Sequence, residues 1–221
     1  MKHEGNHLNV GDNHTLYIET IGHPDLYPIL FIHGGPGYGF FPQDKRFFDP
    51  EKHFVILYDQ RGCGRSTPYG EVDNNTTQDL LKDINIILDH FGFNKITIFG
   101  GSWGSTLALL FAIQHPDRIE KMILRGIFSA THDTIDLFTE DDSVVSVVEA
   151  RNRALALVPV EKKENPLAHF LEMMIEGDQV TKEKYAFEFE LYGARLNFPD
   201  LPEEKIIADI QKRNYFAHAL I

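Results

Sequence analysis

The sequence predicts an α/β fold, a mostly parallel sheet covered by helices, with a helical cap insertion after it. Three observations carry this. Short apolar runs of strand length recur through the first half of the chain. They alternate with stretches of helical periodicity. After about residue 130 strand-like runs become scarce, and charged, helix-favouring segments take over. The expected division is therefore a core over residues 1–130 and a helical cap segment over residues 131–221.

In chain order, Thr15-Leu16-Tyr17-Ile18-Glu19-Thr20-Ile21 alternates in polarity and reads as a half-buried strand. Ile29-Leu30-Phe31-Ile32 and Phe54-Val55-Ile56-Leu57-Tyr58 are continuous apolar runs, the pattern of central strands covered on both faces. An amphipathic helix follows, with Leu80, Leu81, Ile84, Ile87, Leu88 and Phe91 at three- and four-residue steps. Thr76 with Asp79 signals its start and Gly92 its stop. Lys95-Ile96-Thr97-Ile98-Phe99 is the next strand, the segment from Thr106 to Ile113 is helix-like, and Lys121 to Arg125 is one more strand. Helices are expected from Asp136 to Leu157, Pro166 to Ile175, Lys182 to Leu196, and from Pro202 onward.

A chain of 221 residues with 43% hydrophobic and 24% charged residues is long enough to bury a core and has an ordinary globular balance. The net charge of −12 argues against nucleic acid and anionic membrane surfaces, which need a basic face. The polar N-terminus lacks an apolar signal region, no run is long enough to span a bilayer, and Cys63 is the single cysteine. A cytoplasmic location is expected. No metal or cofactor motif is present: Gly35, Gly37 and Gly39 lack dinucleotide-loop spacing, and Phe40-Phe41-Pro42 opens no helix to hold a pyrophosphate.

Gly100-Gly101-Ser102-Trp103-Gly104 fits G-x-S-x-G between a predicted strand and a predicted helix. Small residues there permit a turn tight enough to lift a serine hydroxyl out of the sheet edge, and the following N–H points into the site. Ser102 is thus the candidate catalytic nucleophile. The bland alternative is a small-residue turn without chemistry. His33-Gly34-Gly35-Pro36-Gly37 follows another strand and matches the loop type that supplies a second oxyanion donor. His33 reads as structural, holding that loop from the strand end. Asp59-Gln60-Arg61-Gly62-Cys63-Gly64-Arg65-Ser66 reads as a scaffold turn held by salt bridges and hydrogen bonds. Cys63, with no paired base, reads as a packing residue.

Taken in order, these three motifs, with the serine motif extended to Ser105-Thr106-Leu107-Ala108-Leu109, resemble the proline iminopeptidase (prolyl aminopeptidase) family of α/β-hydrolases. The likeness runs from about Leu8 to Phe128 and continues more weakly through the cap. It implies that Ser102 attacks the carbonyl after an N-terminal proline of a short peptide with a free N-terminus. The oxyanion would be held by the N–H groups of Gly35 and Trp103, with Gly34 beside the substrate and no cofactor. It further implies cap carboxylates that hold the substrate α-amine. Phe189-Glu190 best matches one of them, and a solvated helix residue is the alternative for Glu190. At the other, in Gln211-Lys212-Arg213-Asn214-Tyr215-Phe216, the family's glutamate is replaced by Lys212, which would repel an ammonium.

A serine hydrolase of this kind takes its triad in the order Ser, Asp or Glu, then His. After Ser102 the histidines are His115, His132, His169 and His218, and none follows a late strand. Asp133 or Asp136 could serve as the acid but would lack a histidine to orient. The resemblance places the family's acid and base beyond the Tyr-Phe pair, so the expectation is a chain whose last strands are absent. Four readings follow: a prolyl aminopeptidase-type hydrolase in truncated form, a non-catalytic remnant, a split hydrolase completed by a second chain or C-terminal fragment, and an esterase or amidase of other specificity.

Overall fold

The computed structural model describes residues 5–128 and 143–212. It forms two compact units, residues 1–130 and residues 131–220. The expected helix from Asp136 therefore lies partly outside the described residues, and His132, Asp133, Asp136, Tyr215, Phe216 and His218 lie wholly outside them.

The first unit is built on six strands: β1 (Asn6–Gly11), β2 (His14–Ile21), β3 (Tyr27–Ile32), β4 (His53–Tyr58), β5 (Ile96–Gly101) and β6 (Ile119–Arg125). They lie in the order β1-β2-β4-β3-β5-β6. The β1–β2 and β2–β4 pairs are antiparallel, and β3–β4, β3–β5 and β5–β6 are parallel. The apolar runs are explained by this order. In β3, β4 and β5 alternate residues serve opposite layers. Leu30, Ile32, Ile56, Tyr58, Ile96 and Ile98 pack with one cluster, and Ile29, Phe31, Val55 and Leu57 with another.

The first layer is covered by α1 (Thr77–His90) and α2 (Trp103–Gln114), through Leu81, Ile84, Leu88, Leu107 and Phe111. The second is covered by the short 3₁₀ turn at Pro42–Phe47 and its flanks, with Phe40 and Phe48 buried. The start of α1 is fixed reciprocally. Asp79 N–H donates to Thr76 Oγ1 (3.3 Å), and Thr76 N–H donates to the Asp79 carboxylate (3.0 Å). Gly92, at φ +75°, follows the C-cap Phe91.

The second unit holds α3 (Val145–Leu155), α4 (Pro166–Glu176), α5 (Gln179–Asn197) and α6 (Glu203–Lys212). Asn165 caps α4 and Asp178 caps α5, each accepting a backbone N–H three residues on (3.1 and 2.8 Å). The long α5 lacks a single apolar stripe because it packs on two sides. Tyr185, Ala186 and Tyr192 join Val147, Ala150, Phe170 and Met174, while Leu191 joins Ile206 and Ile210 of α6. Among the described residues no helix is long and apolar enough to cross a membrane.

Candidate active site

β3 and β5 run parallel with Ile32 opposite Gly100, so the loops that follow them leave the sheet at the same edge. Ser102 sits between β5 and α2 at φ 52°, ψ −124°, a region that a non-glycine residue occupies only under strain. Three hydrogen bonds hold the turn. Ser102 N–H donates to Arg125 O (3.1 Å), and Ser102 O accepts from Ser105 N–H (2.8 Å) and Ser105 Oγ (2.6 Å). The flanking glycines are set by close approach. A Cβ on Gly100 would stand 2.5 Å from Gly104 O, and one on Gly104 would overlap the Ile32 and His33 carbonyls. α2 consequently begins at Trp103, three residues before the helical pattern in the sequence becomes legible.

Ser102 is exposed, and its hydroxyl has no hydrogen-bond partner among the described residues. Gly34 lies against it: a Cβ there would be 3.3 Å from Ser102 Cβ and 3.9 Å from its Oγ. Gly35 follows at φ +129°, where a Cβ would press on Gly37 N at 2.8 Å. At the start of α2 the first N–H groups, Trp103's among them, have no intrahelical acceptor, and the helix end carries positive potential.

Beneath the loop His33 is buried. Gln60 N–H donates to His33 Nε2 (3.0 Å), which leaves the proton on Nδ1, facing Gly34 O at 2.6 Å. Burial holds the imidazole below its ordinary pKa and so in the neutral form. The buried Gln60 side chain donates from Nε2 to His33 O (3.0 Å) and accepts on Oε1 from Trp103 Nε1–H (3.2 Å). Sequence reasoning missed Gln60. A loop glutamine carries no pattern, and only its place in the Arg-Gly turn after β4 could have drawn notice.

That turn is a scaffold of ion pairs in which Asp59 and Arg61 are buried and Arg65 is exposed. Asp59 accepts from Phe40 N–H (2.9 Å) and from Arg65 N–H (2.8 Å) and Nε (2.7 Å). The Arg65 guanidinium lies 4.1 Å from the centres of both the Tyr17 and Phe40 rings. Arg61 makes a two-point pair with Asp83 of α1 (2.7 and 2.8 Å). Burial pushes the Asp83 carboxyl up to about 6 against the pull of Arg61. Burial also pushes the Cys63 thiol up to about 12, so it is no nucleophile at neutral pH.

Ser102, Gly34, Gly35 and Trp103 thus occupy adjoining loops of the first unit, and Glu190 lies half-buried on α5 of the second. His115 ends α2 beside Asn85 (3.0 Å). His169 is buried on α4, its Nε2 3.1 Å from Tyr185 Oη. Among the described residues no group of three or more His, Cys, Asp or Glu side chains could hold a metal ion.

A sheet of this order with a strained serine between strand and helix defines a class, and the chain belongs to it: residues 27–202 match the alpha/beta hydrolase fold family. Within the class it is similar to the proline iminopeptidase of Arabidopsis thaliana, 41% identical over 173 residues, 78% of this chain and 46% of that one. It is also similar to that of Neisseria meningitidis, 48% identical over 126 residues, 57% of this chain and 40% of that one. The chain spans about half the length of the curated relatives it matches. A solved proline iminopeptidase-related protein from Thermus thermophilus shares the fold at 21% identity and a TM-score of 0.54, covering 98% of this chain and 74% of that one.

Proposed function

We propose that the chain carries the nucleophile half of a serine hydrolase that releases an N-terminal proline from short peptides through an acyl-enzyme on Ser102. The observation that carries this reading is the backbone of Ser102, strained at φ 52° with its hydroxyl exposed and Gly34 against it. Strain at an exposed serine on the first turn of a helix is a site property, not a packing one. The Ser102 hydroxyl attacks the prolyl carbonyl. The N–H groups of Gly35 and Trp103 stabilise the oxyanion, the amine leaves with a proton, and water releases proline. Gly34 leaves room for the acyl group, and Glu190, in the segment that resembles the family's amine-binding one, is the carboxylate for the free amine. The base and acid of the triad come from outside the described residues, in this chain's own continuation or a second chain. The net charge of −12 fits a cytoplasmic protein that binds neither nucleic acid nor membrane.

The test pairs labelling with turnover. A small fluorophosphonate should attach to Ser102 and not to the Ser102→Ala variant. Prolyl p-nitroanilide should be cleaved faster than the alanyl substrate, by this chain or by this chain mixed with the missing segment. Labelling without prolyl turnover, but with p-nitrophenyl ester turnover, would establish the esterase reading, which Lys212 favours through its repulsion of an ammonium. Failure of both would leave a non-catalytic remnant.

A further inference from the structure

We infer that His33 and Gln60 are positioning residues that together aim the two oxyanion donors, an inference that rests on the acyl-enzyme reading of Ser102. The peptide between Gly34 and Gly35 is one plane, so its C=O and N–H are fixed relative to each other. His33 Nδ1–H holds Gly34 O at 2.6 Å and thereby sets where the Gly35 N–H points. The ring can do this only as the Nδ1–H tautomer, and the Gln60 backbone N–H enforces that tautomer by donating to Nε2 (3.0 Å). The Gln60 side chain completes the link. It grips the loop at His33 O (3.0 Å) and, from the other end of the same amide, the indole of Trp103 (3.2 Å), the residue whose N–H is the second donor.

The amide orientation is over-determined. An indole N–H can only donate and a carbonyl can only accept, so Oε1 must face Trp103 and Nε2 must face His33. Gln60 is buried, and water cannot replace either bond without entering the core. One side chain therefore sets the spacing between the β3 loop and the start of α2, the spacing an oxyanion would bridge. Donor placement to within a fraction of an ångström is what such a hole requires.

Trp103 is the single tryptophan of the chain, so its indole gives one unambiguous ¹⁵N–H resonance. In Gln60→Met, of similar volume but without the amide, that resonance should shift and exchange faster with water. The maximal rate of Ser102 phosphonylation should fall about tenfold while the half-saturating probe concentration holds, as loss of transition-state placement requires. Trp103→Phe should cost a similar factor, and the double variant no more than either alone. Gln60→Glu keeps an acceptor for the indole but sets a second oxygen against His33 O, which can only accept, so it should not restore the native rate. The ¹⁵N shifts of His33 should show a protonated Nδ1 and a bare Nε2 in the native protein. An unshifted indole in Gln60→Met, a protonated Nε2, or full multiplicativity of the two rate losses would overturn the inference. If native Ser102 does not react either alone or mixed with the missing segment, the acyl-enzyme reading fails. The indole and imidazole signals then decide whether the clamp exists without the reaction.

Discussion

Ser102 is held off the favoured regions of backbone space by its neighbours rather than by its own contacts. Its N–H is fixed to Arg125 O, its carbonyl to Ser105, and Gly100 and Gly104 let strand and helix close on it. Strain of this kind costs about 1–3 kcal/mol in a non-glycine residue. Glycine adopts the same angles freely but loses about 0.5–1 kcal/mol more backbone entropy on folding. The first effect is the larger, so Ser102→Gly should stabilise the protein by about 1 kcal/mol. Ser102→Ala should give no such gain, because alanine shares the strain. Chemical denaturation of the three proteins checks this. Equal stability of the glycine and alanine variants would mean that the turn stores no strain worth the name.

At the level of elements, α1 shows how local chemistry fixes a boundary and what pH does to it. Asp79 holds the start of the helix with Thr76 and also bonds Lys82 (2.8 Å). The Lys82 ammonium, then the Thr76 hydroxyl, holds the Asp79 carboxyl below its ordinary 3.8. A carboxylate depressed in the folded state contributes stability above its unfolded pKa and loses it as pH falls below that value. Asp79→Ala should therefore cost about 1 kcal/mol at neutral pH. The gap between variant and native protein should narrow as pH drops below about 4. Denaturation midpoints across that range measure it, and a gap independent of pH would remove Asp79's charge from the account. This cap was legible in the sequence because its signal is local, as were β3 and β4, continuous apolar runs buried on both faces, and α1, whose periodicity is set by burial on one. β1 was not legible. Its residues are mostly exposed, and it exists by pairing with β2, a long-range fact with no local pattern. Gln60 was illegible for the same reason, since its partners come from His33 and Trp103, on two other segments.

Over the whole first unit, the sheet's two edges differ in kind. β1 is polar, carries Asn6, His7 and Asn9, and breaks register between Asn9 and Gly11, features that discourage further pairing. β6 is the opposite. Among the described residues it pairs only with β5, and Met122 and Ile123 stand 37% and 48% exposed in its middle. An open strand with apolar side chains is a template for another strand. The chain on its own should thus self-associate as its concentration rises. Antiparallel pairing of two copies about Ile123 would set Lys121 opposite Arg125, a like-charge contact that opposes association at low ionic strength. Added salt screens that repulsion over about 8–10 Å at physiological ionic strength, so association should strengthen with salt, not weaken. Ile123→Lys adds a third cation at the centre and removes the apolar contact. It should keep the chain monomeric while shifting stability by no more than about 0.5 kcal/mol, as expected for an exposed site. Sedimentation velocity at increasing protein and salt concentrations distinguishes the cases. Association that is unchanged by Ile123→Lys, or that fades with salt, would place the contact elsewhere on the molecule and leave β6 an edge that its own charges protect.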